Sequence, residues 1–361
     1  MSRFLAERYA SLEAYTPGEQ PTDMKYIKLN TNESPFPPSP GVLRAINEDS
    51  VRDLRLYSDP DCGVLRRAIA ELFGFDKRNV FVSNGSDDIL NFSFMAFCDG
   101  TRCGVTFPEI SYGFYQVYAD LHGVDAKKIA LAEDFSINVE DYCQNDRTVV
   151  IANPNAPTGI ALSRNAVERI VASNPDHVVV IDEAYVDFGG ESAIELVRRY
   201  ANLLVVRTFS KSYSLAGARL GFAIGHPDLI ADLEKIKYST NPYNINRLTL
   251  LAGTAAIEEN DYYMENCKRI IENRAYLTRE LRLLGFEVLP SCANFVFAKS
   301  DVIGGEALYL ALKARGILVR HFTKERIKDY NRITIGTIEE MYALVAVIRE
   351  ILADTAKGRI L

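Results

Sequence analysis

The stretch Arg207-Thr208-Phe209-Ser210-Lys211-Ser212-Tyr213-Ser214-Leu215-Ala216-Gly217-Ala218-Arg219-Leu220-Gly221 decides how the rest of the chain reads. Lys211 is flanked by the hydroxyls of Ser210 and Ser212, and Arg219 follows within the same segment. A lysine amine condenses reversibly with an aldehyde, and a nearby guanidinium can hold an anionic group of the same ligand. The apolar run Leu203 to Val206 reads as a buried strand of a parallel sheet. Lys211 then lies just past the strand's carboxyl end, where open α/β sheets bind ligands. A single lysine is more often merely solvated; the neighbouring runs argue for a site.

Two further apolar runs end in polar residues. Thr148 to Ala152 leads into Asn153-Pro154-Asn155-Ala156-Pro157-Thr158-Gly159, and His177 to Ile181 leads into Asp182-Glu183-Ala184-Tyr185. Pyridoxal phosphate, the aldehyde cofactor this chemistry suggests, withdraws electrons when its ring nitrogen stays protonated, and a buried carboxylate raises that nitrogen's pKa. Asp182 is the candidate carboxylate. Tyr185, and an asparagine from the neighbouring turn, can hydrogen-bond the ring's phenolate oxygen. Asn84-Gly85-Ser86 opens an apolar helix near Asp87, so the amides of Ser86 and Asp87 offer free donors at the positive end of a helix dipole. Thr208 and Ser210 add hydroxyls and Arg219 a planar cation, which makes this the expected phosphate site. Phosphate repulsion predicts that the carboxylates of Asp87 and Asp88 point away.

The order and spacing of these motifs resemble the fold-type I pyridoxal-phosphate aminotransferases, and most closely their histidinol-phosphate branch. Asn32-Glu33-Ser34-Pro35-Phe36-Pro37-Pro38-Ser39-Pro40 is similar to the branch's N-E-N-P-x-G-P-S-P arm, and Tyr57-Ser58-Asp59-Pro60 to its Y-P-D entry. Asn84 to Asp88, Asn153 to Gly159, Ser210-Lys211 with Arg219, and Arg332 to Thr337 resemble N-G-S-D-E, N-P-N-N-P-T-G, S-K-x(7)-R and R-I-T-I-G-T. Ala156 replaces the asparagine of that turn, leaving Asn155 as the candidate for its role, and Ser34 and Pro37 replace the arm's usual Asn and Gly.

The resemblance implies a two-step transamination in which Lys211 holds the cofactor covalently and later moves the substrate proton, with Asp182 and Tyr185 as its catalytic partners. It also implies that Tyr112 stacks on the cofactor ring and that Tyr57 reaches the cofactor of a second subunit, giving a homodimer with shared sites. Asn32, Arg320 and Arg332 are implied on the substrate side. Both arginines adjoin apolar β-like runs, and two guanidinium forks suit a phosphate. The implied substrates are L-histidinol phosphate and 2-oxoglutarate. Threonine-phosphate decarboxylation and aromatic-amino-acid transamination on the same fold are the alternatives.

The 361 residues are enough for about two domains. The expectation is an α/β, fold-type I architecture: an N-terminal arm with part of a small domain over residues 1–50, a large domain with a mostly parallel sheet flanked by helices over 51–255, and a linking helix with a smaller α+β domain over 256–361. Prolines 35, 37, 38 and 40 predict an extended arm without regular helix. Helices are expected at Gly63 to Phe73 and Asp261 to Leu284. Strands are expected at Phe286 to Leu289, Phe295 to Ala298, Ile317 to Arg320 and Arg332 to Ile335. A last helix should open on the capping pattern Thr337-x-x-Glu340 and bury Met341, Leu344, Ile348 and Ile351. A net charge of −7, from 41 basic and 48 acidic residues, argues against a nucleic-acid partner. No apolar run suits a membrane span, and no signal-peptide pattern opens the chain, so a cytoplasmic location is expected. Six scattered cysteines and four histidines show no ligand spacing, and no metal is expected.

Overall fold

The computed structural model describes residues 2–99 and 103–358. The arm contributes a short strand, β1 (Ile27–Lys28). A seven-stranded sheet follows, built from β2 (Val80–Ser83), β3 (Val105–Pro108), β4 (Ala126–Ile129), β5 (Thr148–Ala152), β6 (Val179–Asp182), β7 (Leu203–Thr208) and β8 (Gly221–Gly225) in the spatial order 2-8-7-6-5-3-4. The strands β2, β3, β5, β6, β7 and β8 are buried along their whole length, as a sheet covered on both faces requires. Helices such as Gly63–Phe73 and Arg164–Ser173 cover one face, while Gly85–Phe97 and Phe114–His122 cover the other.

One strand departs from the expected parallel pattern. β8 runs antiparallel to both β7 and β2. The physical reason lies in the connection: Phe209 to Leu220 forms only a 3₁₀ turn at Ala216–Ala218, and a parallel return needs a crossover, usually a full helix. The reversal brings Gly221 against the start of the helix Gly85–Phe97. A Cβ at Gly221 would lie 2.4 Å from the Ser86 amide nitrogen and 2.6 Å from the Gly85 carbonyl carbon.

The C-terminal part forms a four-stranded antiparallel sheet from β9 (Phe286–Val288), β10 (Phe295–Ser300), β12 (Arg320–His321) and β13 (Tyr330–Thr334), ordered 12-13-10-9. The helices Asn260–Leu283, Gly305–Ala314 and Ile338–Ala356 pack on it around a single apolar cluster. Met341, Leu344, Ile348 and Ile351 belong to that cluster, and Thr337 with Glu340 closes the expected capping box. The single strand expected at Ile317 to Arg320 is split. β11 (Ile317–Leu318) pairs with β1, whereas Arg320 turns to pair with Arg332 on β13. The proline-rich arm is also not free of helix: Pro40 occupies the first turn of Pro40–Ala45 behind the N-cap Ser39, and Glu48–Arg52 follows. Proline suits that position because its missing N–H would have no partner there.

Adding one methyl at Gly221 must displace main chain rather than a flexible side-chain tip. Gly221→Ala is therefore expected to destabilise the protein by about 1–3 kcal/mol. Denaturant unfolding of the variant checks this; a midpoint equal to that of the parent would mean that β8 and the helix are not in contact as described.

Candidate active site

β5, β6 and β7 end side by side, with Ala152 level with Asp182 and Asp182 level with Val206. Their carboxyl ends form the floor of a cavity of about 400 Å³, lined among others by Ser86, Asp87, Tyr112, Asp182, Tyr185, Thr208, Ser210, Lys211 and Arg219. Nine of the residues expected from the sequence thus converge on one space although they span positions 86 to 219.

Asp182 sits at the base and is 4% exposed. The Tyr115 hydroxyl donates to its Oδ2 at 2.9 Å and the Ala184 amide to its Oδ1 at 3.2 Å. Burial dominates these two donors and pushes its pKa up from 3.8 to about 6. Burial also pushes the Tyr115 phenol well above its ordinary value, so Tyr115 remains a donor. Nothing in the sequence marked Tyr115 beyond its place in an aromatic run.

Lys211 Nζ reaches the Thr31 carbonyl at 3.3 Å and lies 5.9 Å from the centre of the Tyr185 ring. The Tyr185 hydroxyl accepts from Asn32 Nδ2 at 3.0 Å, and Asn32 Oδ1 accepts from Thr334 Oγ1 at 3.0 Å. Asn32 is buried with φ +57°, a left-handed backbone that asparagine tolerates better than most residues. It couples the arm and β13 to Tyr185.

At the opposite end, Gly85, Ser86 and Asp87 occupy the first turn of their helix, so their amides lack helical partners. Arg219, itself at φ +54°, directs Nη1 to Ser210 Oγ at 3.4 Å and Nη2 to Asp87 Oδ2 at 2.7 Å. The Asp87 carboxylate was expected to point away from the phosphate site. Instead it lines the cavity, bound by Arg219 and by the Tyr112 hydroxyl at 2.8 Å. An uncompensated guanidinium draws the nearest carboxylate, which overrides the expected separation. Asp88 does turn aside, to Ser83 and Asn244.

Asn155 is the clearest departure. It is buried, its Nδ2 donates to the Ile110 carbonyl at 3.0 Å and to Thr158 Oγ1 at 3.2 Å, and its Oδ1 accepts from Ser111. Both amide hydrogens are engaged in holding the turn. Ala156, not Asn155, lines the cavity, so no asparagine of this turn faces the position expected for a phenolate oxygen.

A second cavity of about 580 Å³ adjoins the first and shares Thr31, Tyr112, Ala156, Tyr185 and Lys211 with it. Arg320 and Arg332 line it, directly opposite one another across β12 and β13. Arg320 donates to the carbonyls of Thr16 and Pro17, and Arg332 to that of Asn30 at 3.0 Å. Burial, then, lowers the Arg332 pKa from its ordinary value, and its Nε has no partner. Two facing cations with an unsatisfied buried donor suit an anionic group. Tyr15, stacked on Phe114 at 4.2 Å, closes this cavity and had no signal in the sequence. Tyr57 is elsewhere: it is 80% exposed and stacks on Tyr243.

The donors fit pyridoxal 5'-phosphate. The cavity holds an amine, a buried carboxylate lacking a cation, and, at the far end, free amides with a guanidinium. Among the described residues no cluster of His, Cys, Asp and Glu could hold a metal ion, and no helix is long and apolar enough to cross a membrane.

Residues 24–348 match the family described as aminotransferase class I and II. The chain is 50% identical over 356 residues to a histidinol-phosphate aminotransferase of Brachyspira hyodysenteriae, covering 98% of this chain and 100% of the relative. It is 50% identical over 352 residues to one of Marinomonas sp., covering 97% and 99%. Among solved structures, the histidinol-phosphate aminotransferase of Sinorhizobium meliloti in complex with pyridoxal-5'-phosphate superposes with a TM-score of 0.83 at 26% identity, covering 91% of this chain and 92% of that one.

The buried carboxylate gives a pH-dependent signature. Its pKa is raised in the folded state, so the group favours folding below the unfolded value near 4, and that advantage is lost as pH rises through about 6. At roughly 1.4 kcal/mol per pKa unit the loss is about 3 kcal/mol. Cofactor-free Asp182→Asn, whose Oδ1 still accepts from the Ala184 amide while its Nδ2 donates to the Tyr115 oxygen, should therefore unfold at higher denaturant than the parent at pH 8 and lose this lead by pH 4. Parallel stability profiles across that range would show that Asp182 is not desolvated.

Proposed function

Because the chain belongs to the class I and II aminotransferases, in the histidinol-phosphate aminotransferase family, we propose that it transfers the amino group of L-histidinol phosphate to 2-oxoglutarate, giving imidazole-acetol phosphate and glutamate. The observation that carries this reading is the pair of adjoining cavities. One holds Lys211 between a buried carboxylate and an anion-binding helix start; the other adds Arg320 and Arg332.

Pyridoxal 5'-phosphate, when bound, supplies an aldehyde for the substrate amine and a ring that accepts the electron pair released at the substrate carbon. Lys211 would hold that aldehyde through Nζ in the resting enzyme and, once freed by the substrate amine, would move the proton from the amine-bearing carbon to the former aldehyde carbon. Thr31, whose carbonyl lies 3.3 Å from Nζ, holds the lysine over the cavity in the meantime. Asp182 would hold the ring nitrogen, whose positive charge would offset the cost of burying the carboxylate. Tyr185 donates its hydroxyl proton toward the phenolate oxygen while Asn32 donates to Tyr185. With Asn155 engaged in the turn, Tyr185 carries that contact alone. Ser86, Asp87 through its amide, Thr208, Ser210 and Arg219 would hold the phosphate. Tyr112, which lines the same cavity, would cover the ring face.

Arg320 and Arg332 take the substrate phosphate, or the distal carboxylate of 2-oxoglutarate in the second half-reaction. Each charge-assisted contact is worth about 1.5–3 kcal/mol, so Arg320→Ala or Arg332→Ala should lower the preference for histidinol phosphate over unphosphorylated histidinol roughly ten- to a hundredfold. Steady-state kinetics with both amines checks it. Release of carbon dioxide from threonine phosphate, or faster turnover of phenylalanine, would replace the substrate and leave the cofactor chemistry intact.

We further propose a cytoplasmic homodimer with shared sites, and Tyr57 supports the sharing. It lines neither of these two cavities of its own chain, and the surrounding sequence carries exposed Leu43, Ile46, Val51, Leu54, Leu56 and Val64, apolar side chains suited to contact with a second copy. Where Tyr57→Phe and Lys211→Ala are each inactive alone, mixing them should restore activity, because one hybrid site carries both native residues. Absence of any recovery in verified mixed dimers would assign Tyr57 a role within its own subunit.

The division into an arm over 1–50, a cofactor-binding part over 51–255 and a C-terminal part over 256–361 is proposed on the same grounds, with β1 of the arm paired to β11.

A further inference from the structure

Arg320 and Arg332 flank a loop whose middle is fastened to the other half of the molecule. Arg326, in the 3₁₀ turn Glu325–Ile327 between β12 and β13, donates from Nη1 to Glu109 Oε1 and, at 2.9 Å, to the Leu131 carbonyl. Its Nη2 donates to the Ala132 carbonyl, and the guanidinium stacks over the Phe135 ring with 5.0 Å to its centre. Glu109 immediately follows β3, and the next residues, Ile110, Ser111 and Tyr112, all line the substrate-side cavity. That segment is tied to the cofactor side as well, since Asn155 bonds both the Ile110 carbonyl and the Ser111 hydroxyl. Arg326 itself lines neither cavity.

We propose that Arg326 is a positioning residue that sets Arg320 and Arg332 at working distance from Lys211 by docking the β12–β13 loop onto the segment Glu109 to Tyr112. The ion pair with Glu109 is partly exposed and by itself worth little. What matters is the fork, because three acceptors on one planar group define direction as well as distance. Two of the three are main-chain carbonyls of a tight turn, in which the Phe135 amide donates to the Ala132 carbonyl at 2.9 Å and Phe135 adopts φ +65°. That strained turn aims Phe135 into a cluster with Ile110, Leu131, Leu289, Phe297, Ile327 and Tyr330, drawn from both sheets' surroundings. The apolar cluster supplies cohesion and Arg326 supplies register. Release of the fork leaves the cluster free to slide, and the two arginines shift together relative to the cofactor end.

This inference rests on the reading of Arg320 and Arg332 as the anion site. The test compares the holoenzyme of the parent with Arg326→Met, which keeps the stem over Phe135, and Arg326→Lys, which keeps one donor toward Glu109. Misplacement of the anion site should raise the KM for histidinol phosphate and the inhibition constant of inorganic phosphate by about tenfold to a hundredfold in the Met variant. The Lys variant should fall between Met and parent. The kcat, the KM for unphosphorylated histidinol and the cofactor's visible absorbance should stay within about twofold of the parent. An unchanged phosphate inhibition constant in both variants, or an equal loss with both amines, overturns the proposal. A parent enzyme with no preference for the phosphorylated amine would refute the substrate reading, while the phosphate inhibition still judges Arg326. Should inorganic phosphate fail to inhibit the parent, the arginine pair is no anion site and the role of Arg326 falls with it.

Discussion

A carboxylate buried without a cation is the constraint around which this site is organised. Asp182 receives only two neutral donors, from Tyr115 and from the Ala184 amide, and burial outweighs both. Such a group is unfavourable unless it is protonated or meets a positive partner. A positively charged group of a ligand entering the cavity beside it would complete the pair and offset that cost. The surrounding strands are rigid enough to sustain that cost: β5, β6 and β7 are entirely buried, and Glu183, next in the chain, is locked to Arg207 of β7 in a buried ion pair.

The same logic, with signs reversed, operates at the other end of the cavity. Arg219 and the amides of the helix start have excess positive character, and the Asp87 carboxylate satisfies part of it. A phosphate that enters there exchanges one anionic partner for another, so the site need not stay uncompensated between ligands. The Tyr112 hydroxyl donates to the same carboxylate.

On the substrate side, two arginines lie face to face across neighbouring strands, a juxtaposition that is destabilising in itself. The carbonyls of Thr16, Pro17 and Asn30 temper it from the arm. Asn32 ties the same arm to Tyr185 and to Thr334, which places arm, cofactor floor and four-stranded sheet in one hydrogen-bonded circuit.

Much of this was written in the local chain. Apolar runs of four to six residues that end in Asn153, Asp182 and Lys211 are legible because strand burial and site position are both local properties of an α/β sheet. The capping box at Thr337 and the stripe through Met341 and Ile351 are legible for the same reason. The sequence alone thus determined the fold class, and it marked Lys211 and Asp182, which the structure brings to one cavity. Tertiary structure decided what depends on competition between distant groups. Whether Asp87 turns away or toward Arg219, whether Asn155 is free or consumed by Ile110 and Thr158, and whether Ile317 to Arg320 is one strand or two are settled by partners up to hundreds of residues away. Tyr115, Tyr15 and Arg326 left no local signal because their importance lies in what they touch, and hydrogen-bond partners across a fold are fixed by packing rather than by spacing along the chain.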